Sequence, residues 1–366
     1  MGLHYCRFEL QWYVLQQAAS RWIVLDMKAF VFENRLVLDD LRRVEQPAPS
    51  PGPRQVLLRM RAASLNYRDL SIARGDYGSY RLPLVPVSDG AGTVVAVGPE
   101  VRRFQVGDLV CPSYVPGWID GAIEEQTALR RLGGPADGVL RELMCVDEDE
   151  AVRAPAHLDA AEAATLPIAG VTAWQALFAD RGVTAGQTLA VQGSGGVSLF
   201  VVQLARAAGV RVLSLMRGNG RRELLDRLGA EVFDSEQPDW PERIRAATAG
   251  RGVDLFIDVV GGPMLPQAIA ATRVGGRVVL LGYVGGTSVT LDLIAVIRRA
   301  VTLHAISGGS RTSFEQLVSF LERHQLRPVI DARFPLDDVR AAYERLATGK
   351  PIGKVVIEFD QPNRAA

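Results

Sequence analysis

A strand-like run, Thr188-Leu189-Ala190-Val191-Gln192, passes directly into Gly193-Ser194-Gly195-Gly196-Val197-Ser198, and a helix-period segment from Val197 to Ala208 begins within that turn. Strand, glycine turn and helix in immediate succession commit this part of the chain to a parallel α/β sheet, whose helix N-termini gather at the carboxyl edge of the strands. Gly193 can take the tight turn. Gly195 removes a Cβ where backbone must approach a pyrophosphate, and Ser194, Gly196 and Val197 complete a set of contacts at a helix start whose unpaired N–H groups suit an anion. Glycine turns also follow strands for steric reasons alone, so the flanking elements give this one its meaning. The third small position is Ser198 rather than glycine, and serine still lets helix pack close to strand. The turn points to a dinucleotide.

About 20 residues beyond such a turn, at the end of the next strand, a carboxylate would accept hydrogen bonds from the adenosine ribose. Here the strand Arg211 to Leu215 runs into Met216-Arg217, with Arg221 and Arg222 close behind. Arginines in place of an acid match a ribose 2′-phosphate, so NADPH is the expected cofactor, NADH the alternative, and Arg217 and Arg221 the expected contacts. The competing interpretation makes these arginines the solvated start of a helix.

Further apolar runs, Leu255 to Val260, Arg277 to Leu281 and Val301 to Ala305, alternate with helical segments such as Arg221 to Leu228, as strands buried on both faces do. Asp258-Val259-Val260-Gly261-Gly262 ends one run at the carboxyl edge, which makes Val259 a candidate contact. Earlier the texture differs. From Met27 to about Arg153, runs such as Val56 to Met60 and Gly92 to Val97 are broken by Gly and Pro, predicting a mostly β domain. A helix over Ser313 to Arg323 then precedes strand character at Lys354 to Phe359, which is expected to rejoin that domain. The predicted division is an N-terminal extension over 1–26, a β domain over 27–160, a dinucleotide domain over 161–305 and a return over 306–366. Leu3 to Leu25 is interrupted by Arg7, Glu9 and Arg21, too broken for a bilayer span or a secretory signal, and reads as an extension from an upstream start.

Lys plus Arg and Asp plus Glu each number 41 in 366 residues, and no basic stripe stands out. Nucleic acid and anionic membrane are therefore not expected partners, and a small-molecule substrate is. Cys6, Cys111 and Cys145 are too scattered for a disulfide framework, which fits a reducing, cytoplasmic setting.

Four segments precede the turn in a fixed order: Ala63-Ser64-Leu65-Asn66-Tyr67-Arg68-Asp69-Leu70, Asp89-Gly90-Ala91-Gly92-Thr93-Val94-Val95-Ala96-Val97-Gly98, Val106-Gly107-Asp108-Leu109-Val110 and Gly170-Val171-Thr172-Ala173-Trp174. With the turn, they make the chain resemble the medium-chain dehydrogenase/reductase superfamily from about Met27 to Phe359. The resemblance implies an α/β fold, a Rossmann doubly wound parallel sheet plus a mostly-β GroES-like catalytic domain. Zinc-using members hold their catalytic metal with a Cys, a His-Glu pair and a second Cys or His. This chain has Asn66, Ser88-Asp89 and Ile168 there, none of them a set of soft, deprotonated ligands, and it lacks the four-cysteine lobe of the structural zinc. No zinc or other metal is expected, and Asp89 alone is expected to serve as a turn hydrogen-bonder.

The chain thus resembles the zinc-free branch, similar to NADPH:quinone oxidoreductases and enoyl reductases. That implies an NADP-dependent oxidoreductase passing hydride to a quinone or α,β-unsaturated carbonyl, whose developing charge is delocalised. The alternatives are an alcohol dehydrogenase-type or enoyl-thioester reductase, and a non-catalytic NADPH-binding protein. The resemblance places Asn66, Tyr67 and Arg68 against the nicotinamide, offering an amide, a phenol and a guanidinium to the acceptor oxygen. Tyr67 is the candidate proton donor, with water as its rival, and Asp69 a helix cap. Thr172, Gly282, Tyr283 and Ser307 are implied nicotinamide contacts, pairing at Val301 to Ala305 implies a homodimer, and His157, His304 and His324 are read as structural.

Overall fold

A computed structural model describes residues 26–218 and 220–359, so the extension expected over 1–26 lies, but for Asp26, outside the described residues. The antiparallel pair β1 (Asp26–Phe32) and β2 (Leu41–Pro47) comes first. A largely antiparallel sheet then forms from β3 (Gln55–Leu65), β4 (Asp89–Val97), β5 (Leu109–Pro112), β6 (Leu143–Asp147) and β7 (Ala151–Arg153), with β6 branching off β3. Apolar faces of these strands meet in one core, in which Phe32, Leu58, Val94 and Ile357 are fully buried. Each such side chain contributes roughly 1.5–3 kcal/mol relative to exposure.

A six-stranded sheet follows from β8 (Thr188–Gln192), β9 (Arg211–Met216), β10 (Glu231–Asp234), β11 (Val253–Asp258), β12 (Thr272–Leu280) and β13 (Thr302–Ala305). Its spatial order is β10-β9-β8-β11-β12-β13 and every pairing is parallel, the doubly wound arrangement. Strand order reverses between β8 and β11, so the crevice at their carboxyl ends is where a ligand of such a sheet belongs. All five residues of β8 are buried, as a central strand with helices on both faces requires. Two details differ from the sequence expectation. Edge strand β10 is short and only half-buried, with acidic residues at both ends, and so lacks the apolar run that marks its neighbours. Strand β12 enters at Thr272, shifts register past the exposed Val274 and Gly275 and pairs again from Arg277.

The chain then returns. β14 (Ile330–Pro335) pairs with β15 (Lys354–Glu358), and β15 lies antiparallel to β3 with Val355 opposite Leu65. Five helices matter below: α1 (Tyr67–Ile72), α2 (Val171–Phe178), α3 (Gly196–Ala207), α4 (Leu293–Arg299) and α5 (Arg311–His324). The return strand also reaches the glycine turn itself, because the Gly353 N–H donates to the Ser194 carbonyl at 3.0 Å. The two sheets therefore meet at the turn.

Candidate active site

The turn after β8 has the shape its glycines allow. Gly193 sits at φ +75°, a conformation side chains with a Cβ rarely adopt. Gly195 has φ −73° and needs no such freedom; a Cβ added there would meet no protein atom within 4 Å. Its bare side is open volume at the start of α3, the cradle a pyrophosphate requires. Ser198 does more than stay small: its hydroxyl donates to the Gln192 carbonyl at 2.6 Å and closes the turn. Gln192 keeps both amide atoms buried without a protein partner, as does Asp258 its Oδ2, so unsatisfied polar groups cluster at the switch point. The residues present fit a dinucleotide.

The arginines behind the turn divide in two. Arg221 is committed, donating to Ser194 Oγ at 2.6 Å and to the Lys350 carbonyl at 2.7 Å. Arg217 is 85 % exposed and only loosely paired with Glu236 at 3.7 Å, a solvated contact that a phosphate can displace.

Beside the turn lies a cavity of about 210 Å³. Its walls come from the start of α1 with Asn66, Tyr67 and Arg68, from Thr172 on α2, from Val197 on α3, and from the chain following β11, β12 and β13 with Val259, Gly282, Tyr283 and Ser307. Gly282 is there for packing, since a Cβ would stand 1.9 Å from the Val259 carbonyl oxygen. Tyr67 is the exposed member of an aromatic wall, its ring edge-on to Tyr283 with centroids 5.6 Å apart, and Tyr77 follows at 6.1 Å from Tyr283. Burial pushes the Tyr283 phenol up to about 12, and the Tyr114 phenol higher still. Both remain protonated donors at neutral pH.

Asn66 stands at the N-cap of the short helix α1, where its backbone N–H donates to Asp69 Oδ2 at 2.8 Å. Its carboxamide is also held from two other sides. Nδ2 donates to Asp89 Oδ2 at 3.0 Å, and Oδ1 accepts from Lys354 Nζ at 2.5 Å. The Lys354 ammonium also donates to the Leu65 carbonyl at 2.7 Å, and Asp89 Oδ2 also accepts from the Ile168 N–H at 3.0 Å. Ile168 lies in a π-helical stretch, Leu166–Gly170, just before α2. The sequence alone casts Asp89 as a turn hydrogen-bonder; in the structure it heads β4, fully buried, and bonds across to Asn66 and Ile168 as one pole of a charged network. Burial drives its carboxyl well above the usual range while Lys354 and Asn66 oppose, and burial drives the Lys354 ammonium down while Asp89 opposes.

Arg68 lies on the same wall with its fork already engaged. It donates to Ser88 Oγ, to the Leu132 carbonyl at 2.9 Å and to the Gly134 carbonyl at 2.7 Å, between the rings of Tyr77 and Tyr114 at 5.4 and 5.2 Å. That ties the loop carrying Leu132 and Gly134 to α1. From the same loop Arg131 donates to Ser307 Oγ at 3.2 Å.

Nine of the sequence-predicted residues thus share one cavity: Asn66, Tyr67, Arg68, Thr172, Val197, Val259, Gly282, Tyr283 and Ser307. Gly193, Ser194, Gly195 and Gly196 line the turn, and Arg217 and Arg221 lie at its far side. The histidines lie apart: His157 contacts the Leu326 carbonyl at 2.8 Å, His304 pairs with Asp180 at 3.4 Å, and His324 stacks on Phe320. Sequence reasoning missed Lys354, Tyr77 and Tyr114. For Lys354 a signal existed: a lysine opening the apolar run Val355-Val356-Ile357 must either reach water or find a buried partner.

A doubly wound sheet with this turn, joined to a β domain that closes a small cavity over its carboxyl edge, defines a two-domain dinucleotide-dependent oxidoreductase. The family models agree. A zinc-binding dehydrogenase model matches residues 196–323 and an alcohol dehydrogenase GroES-like domain model matches residues 52–156. A zinc-type alcohol dehydrogenase-like protein of Schizosaccharomyces pombe is 36% identical over 88% of this chain and 96% of its own. A chloroplastic quinone oxidoreductase of Triphysaria versicolor is 29% identical over 87% and 94%. The crystal structure of a Sinorhizobium meliloti protein assigned as an alcohol dehydrogenase superposes with a TM-score of 0.85 at 38% identity, covering 91% of this chain and 99% of that one. The chain belongs to the medium-chain dehydrogenase/reductase superfamily.

Of the positions set against zinc ligands, Asn66 and Ile168 are joined to each other through Asp89, while Ser88 Oγ accepts from Arg68 and donates to Asp69 Oδ1 at 3.0 Å. Among the described residues no three His, Cys, Asp or Glu side chains gather as a metal-holding group.

Proposed function

We propose that this chain is an NADPH-dependent, zinc-independent reductase of quinones or α,β-unsaturated carbonyls. The observation that carries the reading is the cavity in which an amide, Asn66, and a phenol, Tyr67, face the carboxyl edge of the dinucleotide sheet. Residues 161–305 would hold the cofactor, and 27–160 with 306–366 would cover the acceptor. Gly193 to Val197 would seat the pyrophosphate and Arg217 the 2′-phosphate, while Thr172, Gly282, Tyr283 and Ser307 would border the nicotinamide. Bound there, the reduced cofactor supplies a hydride.

The protein's own residues then have two tasks. Asn66 and Tyr67 hydrogen-bond the acceptor oxygen as negative charge develops on it, and Tyr67, exposed to the cavity, is placed to deliver the proton. An amide and a phenol cannot acidify a simple alcohol as a Lewis acid can, but they suffice where conjugation spreads the charge. The donor set favours conjugated acceptors for that reason. Arg68 acts as a strut, because its guanidinium is engaged by Ser88 and two carbonyls.

Helix α4 packs on β12, next to the edge strand β13, and exposes Leu293, Ile294 and Ile297, which supports a homodimer paired at that edge. The described residues include no helix long and apolar enough to cross a membrane. With balanced charge and three scattered cysteines, a cytoplasmic enzyme is the setting we infer. An acceptor screen with NADPH over quinones, enals, enones, enoyl thioesters and simple aldehydes tests the reading. Turnover confined to the conjugated acceptors supports it, and turnover of simple aldehydes alone overturns it.

A further inference from the structure

We propose that Lys354 and Asp89 are positioning residues for this reduction, locking the Asn66 carboxamide in the one orientation that keeps an N–H available to the acceptor oxygen. The inference rests on the reductase reading above. An ammonium only donates, and Asp89 Oδ2, which also accepts from the Ile168 N–H, presents an acceptor to Asn66. With Lys354 Nζ on Oδ1 and Asp89 Oδ2 on Nδ2, a flipped amide would set N–H against the ammonium and oxygen against the carboxylate. The orientation is therefore dictated by a donor on one side of the amide and an acceptor on the other.

Asp89 takes one Nδ2 hydrogen, and the second is left to the cavity that Asn66 lines. The ammonium on Oδ1 polarises the amide and strengthens that remaining donor. Asp89 balances the buried charge, which would otherwise be costly. The glycine turn takes part as well: a Cβ on Gly196 would stand 2.5 Å from Lys354 Cδ, so the missing side chain makes room for the lysine. One glycine of the dinucleotide turn thus serves the acceptor side of the site.

The test compares wild type, Lys354→Met and the double variant Asp89→Asn/Lys354→Met by three measurements: thermal unfolding, NADPH affinity from nicotinamide fluorescence, and kcat with a benzoquinone and an enone. Lys354→Met strands a buried carboxylate and should lose stability; the double variant should regain it, because no charge is left unpaired. The positioning role predicts that kcat stays down roughly tenfold to a hundredfold in both variants, with NADPH affinity within about twofold of wild type. A double variant that recovers kcat together with stability shows the pair to be structural and overturns the inference. If Lys354→Met does not fold, the double variant alone decides. Wild type inactive with both acceptors overturns the reductase reading and this inference together, whereas an active wild type matched by the double variant overturns this inference only.

Discussion

Replacing Gly195 by alanine separates a glycine kept for a ligand from one kept for the fold. At φ −73° and ψ −179°, Gly195 has a backbone that alanine adopts without strain, and the added methyl touches no protein atom within 4 Å. The free protein should therefore be as stable as wild type, or more stable by about 0.4–1 kcal/mol through the restricted unfolded chain. Bound cofactor changes the balance, because the methyl enters the space where backbone and pyrophosphate meet. One extra carbon in a close-packed contact costs about 1–3 kcal/mol. That corresponds to roughly 5- to 150-fold in Kd. Gly193→Ala should behave differently. It forces a Cβ into φ +75° and should destabilise the free protein by about 1–2 kcal/mol. Thermal unfolding and fluorescence titration with NADPH read both effects on the same samples. Gly195→Ala that binds NADPH as tightly as wild type would refute the placement of the pyrophosphate.

Three further outcomes follow from the site. Arg217→Ser should lower kcat/KM for NADPH about tenfold or more while leaving NADH almost unchanged, since it removes one exposed charge-assisted contact; equal losses with both cofactors would remove the 2′-phosphate role. Tyr67→Phe should lower kcat with an enone roughly a hundredfold at constant NADPH affinity if the phenol delivers the proton, and unchanged kcat would assign the proton to water. Ile297→Glu, on the exposed face of α4, should convert a dimer to monomer in light scattering, and wild type that is already monomeric contradicts the interface.

The cofactor half was the more readable part of the chain, for a physical reason. β8 is apolar on both faces and ends in a turn with one obligate glycine, so periodicity and backbone conformation speak in the same few residues. Strand β10 was silent because an edge strand with acidic ends has no such run. On the acceptor side, Asn66 and Tyr67 were legible from their segment, but their partners were not. Lys354 is 288 positions from Asn66 and meets it only because β15 returns to pair with β3. The destination of Arg68 depends on a loop whose carbonyls at Leu132 and Gly134 no local pattern announces. Long-range contacts of charged side chains escape periodicity, which reports only what a residue's own helix or strand requires.

Whether an amide and a phenol, rather than a metal, handle the acceptor is decided by comparing two reactions of one purified preparation before and after chelation: NADPH oxidation with a conjugated enone, and NADP⁺ reduction with a simple alcohol. Enone reduction should run at the same rate in both samples, with negligible alcohol oxidation in either. Alcohol oxidation that vanishes on chelation and returns with added zinc would contradict the amide-and-phenol reading.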